Sequence, residues 1–450
     1  MKKIILCSVL FALISCSNDS EQQNNEIQDL SKIETSKFKI DQGNFSMTPI
    51  EGQYIITMKP GTISKGLAIK SVTTKENYKK TYALENAKAL NEFKTNKSLG
   101  LGFVSNKITK AFNYALEGFV AKDVTTNELQ ELKMNPNVKS IEQDYFVVLK
   151  KPNNPGNGGG DSGGSDAPQE TPWGITRVGG FGDGTGKTAW VIDTGIDLDH
   201  PDLNVDVARS VSYTGDNNPD DGNGHGTHVA GTIAAIDNGI GVVGVAAGAN
   251  VVALKVLGND GSGDFSWTVQ ALDYVRSVAN SGDVVNMSLG PSSPFIHDAT
   301  DQATLNLAQT GVRIAIAAGN SYDNANLYTP AHNNHQNIYT ISAIAEGDYW
   351  AYFSNYGTSV DYAAPGYDVK STWLSGSYNT ISGTSMASPH AAGILLLGNP
   401  TSDGTVLPAY WEYVRRGGGR LTGNYGGEDI YSLSIYRYDE DGNDDPIMHR

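Results

Sequence analysis

Residues 188–196 read TAWVIDTGI, a run of apolar residues that ends in a carboxylate and a Thr-Gly turn. The apolar character is continuous rather than alternating, so both faces of this strand must be covered. Runs of the same kind recur at 250–258 (NVVALKVLG), 282–290 (GDVVNMSLG) and 311–320 (GVRIAIAAGN). Helix-like stretches separate them, TVQALDYVRSVANSG at 268–282 and ATDQATLNLAQTG at 299–311. Buried strands alternating with helices predict an α/β domain with a parallel sheet and helices on both faces. In such sheets the chemistry sits at the carboxyl ends of the strands, and Asp193, Ser288 and Asn320 each follow an apolar run there. Asp193 stands out, because a carboxylate leaving so apolar a run is costly unless hydrogen-bonded.

Residues 221–231, DGNGHGTHVAG, hold two histidines three apart. A helix would put both on one face, where they could share a metal ion. A zinc protease of the HExxH kind instead needs four-residue spacing and an intervening glutamate, whereas Gly226 and Thr227 intervene here. His228 opens an apolar helix and reads as a packed, backbone-bonded histidine. His225 follows Gly222 and Gly224, which let backbone or substrate approach closely, and reads as a base. Residues 381–390, ISGTSMASPH, offer Ser382, Ser385 and Ser388 in a small-residue turn leading into a helix. Alone, such a turn is a helix cap.

Taken together and in this order, DTGI, HGTHVAG and GTSMASP resemble the motifs of the subtilase family of serine proteases, over about residues 169–398. The resemblance implies Ser385 as nucleophile, His225 as base, Asp193 as orienting carboxylate and Asn320 as oxyanion donor. It implies that Gly261 and Gly263, and Ser288, Leu289 and Gly290, flank an extended peptide. Phe265 and Leu289 would line an apolar pocket for the residue four before the cut, with Gly319 and Tyr328 bordering the pocket next to the cut. QETPWG, HPDL and IDNGIGV match the family's calcium segments. They imply side-chain ligands Gln169, Asp202 and Asn238 and the carbonyls of Ile236, Ile240 and Val242, an oxygen cage of the kind calcium prefers. An esterase would use the same acyl chemistry, but the GxSxG elbow is absent. A catalytically silent binding protein on this fold would have lost a triad or oxyanion residue, and none is missing.

Upstream, residues 50–149 alternate apolar strands with a Lys-rich, helix-prone middle and predict a small α+β unit. It resembles the family's inhibitory propeptide, whose end (here DYFVVL, 144–149) would lie in the active site. Residues 150–168, KKPNNPGNGGGDSGGSDAP, read as a linker that would be cut on maturation. Residues 1–16 have two lysines and an apolar run from Ile4 to Ile14, the pattern of a secretion signal. LISC resembles a bacterial lipobox, which would make Cys16 a lipidated residue, and an ordinary signal peptide is the alternative. Residues 17–49 read as a polar tether. Both cysteines, Cys7 and Cys16, lie in or at the leader, so the body has no disulfide and bound calcium would be its extra stabiliser. Acidic residues outnumber basic ones 49 to 33, for a net charge of -16, which argues against nucleic acid as a partner. The expected product is an extracellular monomer acting on peptides and proteins. Residues 399–450 match no closing element of the family, and the acidic run DEDGNDDP (439–446) reads as a solvated tail.

Overall fold

The computed structural model describes residues 47–149, 168–407 and 445–450. The leader with Cys16, nearly all of the tether, nearly all of the linker and most of the acidic run lie outside these residues. The first unit contains β1 (Thr48–Met58), α1 (Tyr78–Thr95), β2 (Ile108–Phe112), β3 (Gly118–Ala121), α2 (Thr126–Met134) and β4 (Val138–Val148). β1 runs antiparallel between β3 and β4, and β2 pairs with β3. α1 buries Tyr78, Tyr82, Glu85, Ala89 and Phe93, a single stripe at helical spacing. α2 starts with a reciprocal cap in which Thr125 and Glu128 satisfy each other's backbone N–H groups. This is the α+β unit that the sequence predicts.

The second unit follows with β5 (Thr188–Asp193), α3 (His225–Ala234), β6 (Asn250–Lys255), β7 (Ser262–Asp264), α4 (Phe265–Val278), β8 (Val284–Met287) and α5 (Asp298–Ala308). It continues through β9 (Arg313–Ala317), β10 (Ile338–Ala345), β11 (Tyr362–Pro365), β12 (Val369–Trp373), β13 (Ser377–Ile381), α6 (Thr384–Leu397), β14 (Thr401–Thr405) and β15 (Pro446–His449). The central sheet runs in the order β14, β15, β11, β10, β9, β8, β5, β6. Neighbours are parallel except at the β14–β15 edge.

Alternate side chains of the inner strands leave for opposite faces, as the pleat requires. Trp190, Ile192, Val285, Met287, Ile314 and Ile316 pack with α4 and α5. Ala189, Val191, Val284, Ala315 and Ile341 pack with α3 and α6. The continuous hydrophobicity of TAWVID follows from this double coverage.

The expected boundary at Gly398 does not end the sheet. Residues 401–405 and 446–449 add two further strands, with Ile447 opposite Ala363 and wholly buried. The end of the acidic run is likewise not solvated: Asp445 is buried and accepts a hydrogen bond from the Ser342 hydroxyl (2.6 Å). One edge-strand pair separated by a long insertion leaves no local pattern to read.

The two units share a sheet, because β4 pairs antiparallel with β7 (Ser262↔Val148, Gly263↔Val147, Asp264↔Phe146). Carboxylates join them elsewhere. Asp273 of α4, fully buried, accepts from the backbone N–H groups of Tyr114 (2.7 Å) and Ala115 (2.6 Å) and from the Tyr82 hydroxyl (3.0 Å). Burial pushes its carboxyl up to about 6. Glu142 of β4 accepts from Asp298 N–H and Ala299 N–H, both at 2.8 Å, and so caps α5 from the other unit.

Candidate functional site

β5, β8 and β9 end side by side, and their register sets Asp193 beside Lys255 and brings the residues after Met287 and Ala317 to the same edge. His225 is the first residue of α3. The helix can start there because Gly224 has φ +99°, and a Cβ at that position would collide with the Trp373 ring. His225 Nδ1 meets Asp193 Oδ1 at 2.8 Å, and Asp193 is fully buried. The same carboxylate oxygen accepts from Thr194 N–H (2.7 Å).

A second carboxylate, Asp221, clamps this pair. It accepts from the Thr194 hydroxyl (3.0 Å), from Thr227 N–H (3.0 Å) and from the Thr227 hydroxyl (2.7 Å), while Gly226 N–H donates to Thr194 Oγ1 (2.9 Å). Lys255, almost fully buried, donates to the carbonyls of Thr194 (2.9 Å) and Asp220 (3.0 Å) and to Asn259 Oδ1 (2.9 Å). The turn after Asp193 and the loop before His225 are thereby held by one ammonium group, whose three donors are all used.

Ser385 lies at the start of α6, which contains Pro389. Proline has no N–H for the carbonyl four residues earlier, so the Ser385 carbonyl needs another donor. The Ser288 hydroxyl supplies it (2.9 Å). Asn286 donates to Ser288 Oγ (2.8 Å) and accepts from the Ser388 hydroxyl (2.8 Å), which ties α6 to the end of β8. Among the described residues the Ser385 hydroxyl donates to the Ser288 carbonyl (3.3 Å) and forms no hydrogen bond with His225. Such contacts are often loose before substrate is bound.

Asn320 Oδ1 accepts from both the N–H and the hydroxyl of Thr384, each at 2.9 Å. The strand-to-turn path here is fixed by Asn355, which is fully buried. It donates to the carbonyls of Gly319 (2.9 Å) and Ala318 (3.0 Å) and accepts from Ser321 N–H (2.9 Å) and Asp323 N–H (3.1 Å). Gly319 has φ +109°, and a Cβ there would collide with the Asn355 amide, so this position requires glycine.

A cleft of about 390 Å³ is lined by Ser288, Leu289, Gly290, Gly319, Asn320, Tyr328 and Ser385, and also by Leu149, the residue after β4. Tyr328 is fixed by its hydroxyl on Asp323 (2.7 Å). Gly261 and Gly263 lie along β4, with Leu149 N–H donating to the Gly261 carbonyl (3.0 Å). Phe265 is outside the cleft lining. It stacks on His297 (4.3 Å) and on Phe295 (5.8 Å).

The expected cation ligands also converge. Asp202, fully buried, accepts from Asn238 Nδ2 (3.0 Å), Val242 N–H (3.2 Å) and the Tyr378 hydroxyl (3.3 Å), and burial pushes its carboxyl up to about 6. Gln169 Oε1 accepts from the N–H groups of Asn238 (2.9 Å) and Gly239 (2.8 Å). Pro168 bridges to Ile240, and Ile236 N–H donates to the Asp202 carbonyl (3.0 Å). Among the described residues no three His, Cys, Asp or Glu side chains cluster, so a cation here would rest on amide and carbonyl oxygens around one carboxylate. A buried carboxylate met by neutral donors, within reach of such oxygens, fits a hard divalent cation.

His228 is not part of the reacting group. It is fully buried, its Nε2 meets the Val369 carbonyl (2.9 Å), and burial pushes its imidazole down to about 3. The clamps Asp221, Lys255, Asn286, Thr384 and Asn355 went unread in the sequence. Lys255 and Asn286 carried a usable signal, since a polar residue inside a doubly buried strand must have partners.

Residues 184–402 match the subtilase family, and residues 53–150 match the peptidase inhibitor I9 family. A subtilisin-like serine protease, AsES, of Sarocladium strictum is 38% identical over 311 residues, covering 66% of this chain and 74% of the relative. Subtilisin E of Bacillus subtilis (strain 168) is 34% identical over 308 residues, with the same two coverages of 66% and 74%. The crystal structure of a cold adapted subtilisin-like serine proteinase shares 42% identity over 48% of this chain and 76% of that one, with a TM-score of 0.42. The chain thus belongs to the subtilase family, as a serine-type endopeptidase that carries its own I9 inhibitor domain.

Proposed function

We propose that Ser385 is the nucleophile, His225 its general base and Asp193 the carboxylate that orients the base. The observation carrying this is the 2.8 Å bond between His225 Nδ1 and buried Asp193, beside a cleft that Ser385 lines and that the end of the inhibitor domain enters. With Nδ1 engaged, Nε2 is the nitrogen that takes the hydroxyl proton. A change of Ser385 rotamer carries Oγ from the Ser288 carbonyl to that nitrogen. Oγ then bonds to the peptide carbonyl carbon, and the π electrons move onto the carbonyl oxygen. The intermediate collapses as the C–N bond breaks and His225 returns its proton to the departing amine. Water removes the acyl group from Ser385 by the same steps.

The oxyanion needs donors that already point at it. Thr384 engages the oxygen end of Asn320, which supports the NH₂ end as one donor, with Ser385 N–H as the second. The strand 146–149 is paired to Gly261–Asp264 through main-chain bonds, and recognition of this kind supports broad specificity. Leu289, Gly290, Gly319 and Tyr328 form the walls for an apolar side chain.

The proposed organisation is a leader (1–16), a tether (17–49), the inhibitor domain (50–149), a linker cut on maturation (150–168), a catalytic domain (169–398) and a C-terminal segment (399–450). The sheet strands at 401–405 and 446–449 attach part of that last segment to the catalytic domain. The enzyme is exported, and the Cys16 thiol is a lipidation site whose lipid would stay on the inhibitor side of the cut. Gln169, Asp202 and Asn238, with carbonyls of Ile236, Ile240 and Val242, would hold calcium, which would supply fixed positive charge to the buried Asp202 carboxylate. Adding a chelator should lower the unfolding temperature, and an unchanged midpoint would remove these residues as ligands.

The nucleophile is tested with a fluorophosphonate probe on the matured protein. One adduct is expected, on the peptide containing Ser385, together with loss of hydrolysis. Labelling elsewhere, or full activity after labelling, would sink the assignment.

A further inference from the structure

Tyr145 of β4 makes a contact that the chemistry above does not use. Its ring meets Phe295 edge-on, with centroids 4.7 Å apart and planes at 62°. Phe295 lies in none of the family motifs in the sequence. Two backbone bonds fix it, its N–H donating to the Leu327 carbonyl (2.8 Å) and its carbonyl accepting from Thr329 N–H (3.0 Å). Those residues flank Tyr328, so Phe295 is tied to the segment that walls the cleft. Behind it, Phe265 stacks on Phe295 and on His297, the latter pair only 10° from parallel. His297 is held in turn by Thr300, whose hydroxyl lies 2.9 Å from Nδ1. Phe265, Phe295 and His297 thus stand in a row behind Tyr145, and β4 touches the far end of it as well, with Glu142 Oε2 3.6 Å from His297 Nε2.

Side chains two apart on a strand share a face. Along β4 this face presents Leu149 to the cleft, buried Val147 opposite Gly263, and Tyr145 to Phe295. A peptide lying where β4 lies would present its own side chains at the same spacing.

We propose that Phe295 forms an additional substrate subsite, one that takes an aromatic side chain four residues upstream of the residue in Leu149's place. The inference rests on the reading of β4 as substrate-like and deepens it by naming a substrate class: extended peptides with Tyr, Phe or Trp at that position. Edge-to-face aromatic pairs are worth about a two- to tenfold preference over an aliphatic contact of the same area.

The test uses full-length protein, expressed and allowed to mature, with two internally quenched peptides. One carries the chain's own Asp144–Lys151 sequence, and the other has alanine in Tyr145's place. The wild type should cut the first with about two- to tenfold higher kcat/KM. Phe295→Ala and Phe295→Leu should bring that ratio to about one, and Phe295→Tyr should retain it. Equal rates in the wild type, or a ratio unchanged by both ring-removing substitutions, overturn the subsite. Digestion of denatured casein without cutting of either peptide also overturns it while leaving the protease reading intact. Failure on all three substrates counts against the protease reading itself.

Discussion

Ser385→Ala is expected to accumulate as an uncut precursor and, if separated from its inhibitor domain, to turn over peptides about a millionfold more slowly, a scale that comes from subtilisin itself. The substitution removes the atom that forms the acyl bond and little else. The Ser385 hydroxyl makes one 3.3 Å bond to the Ser288 carbonyl, whereas α6 is anchored by the Ser385 carbonyl and by Ser388. Thermal stability should therefore stay close to that of the wild type. The oxyanion donors and the main-chain groove remain, so a residual acceleration over water of about a thousandfold or more should survive. Mass spectrometry of the accumulating chain and casein hydrolysis read both effects. Unaided maturation of the alanine form would refute the mechanism, while cutting of its linker by added wild-type enzyme would show that its fold is intact.

Replacing the two histidines should separate catalysis from stability. His225→Ala is expected to lose about 10⁶ in kcat, because base and nucleophile fail together. Its unfolding temperature should fall less than that of His228→Ala, since among the described residues its side-chain hydrogen bond is to Asp193, whose carboxylate keeps Thr194 N–H as a donor. His228→Ala removes a fully buried ring that meets the Val369 carbonyl and lies edge-on to Trp373 (6.2 Å). The unpaired carbonyl and the cavity together should cost about 2–4 kcal/mol, or several degrees of unfolding temperature, with kcat within a few-fold of the wild type. Calorimetry and kinetics on both variants decide it, and a reversed pattern would exchange the roles of the two residues.

Much of this was legible in the sequence because it is written locally. A strand covered on both faces shows as unbroken apolar residues, and TAWVID is one. A residue at a helix start behind glycines shows as GNGHG, and His225 is that residue. The α+β unit and its end were equally visible. Most of the clamps were not, because each joins separate segments through polar contacts that follow no sequence period. Asp221 reaches Thr194, Asn355 reaches Ala318, and Asp273 gathers backbone N–H groups from the other unit, none with a local repeat. Phe295 is invisible for a related reason, since its role depends on Tyr145, 150 positions upstream. The last strand, 446–449, was misread because its partners at 363 and 401–405 lie across an insertion, and its acidic approach resembles a solvated end.

The pairing of β4 with β7 makes the inhibitor an extra strand of the enzyme, and this turns concentration into a control variable. While the chain is continuous, the strand meets its groove as an intramolecular partner, at an effective concentration set by the connection and not by the solution. Cutting the connection leaves every hydrogen bond of the pairing in place yet makes its re-formation bimolecular. The freed strand and enzyme then separate according to how far they are diluted. On the proposed maturation cut, crowded molecules would stay silent, and dispersal into a large volume would switch them on.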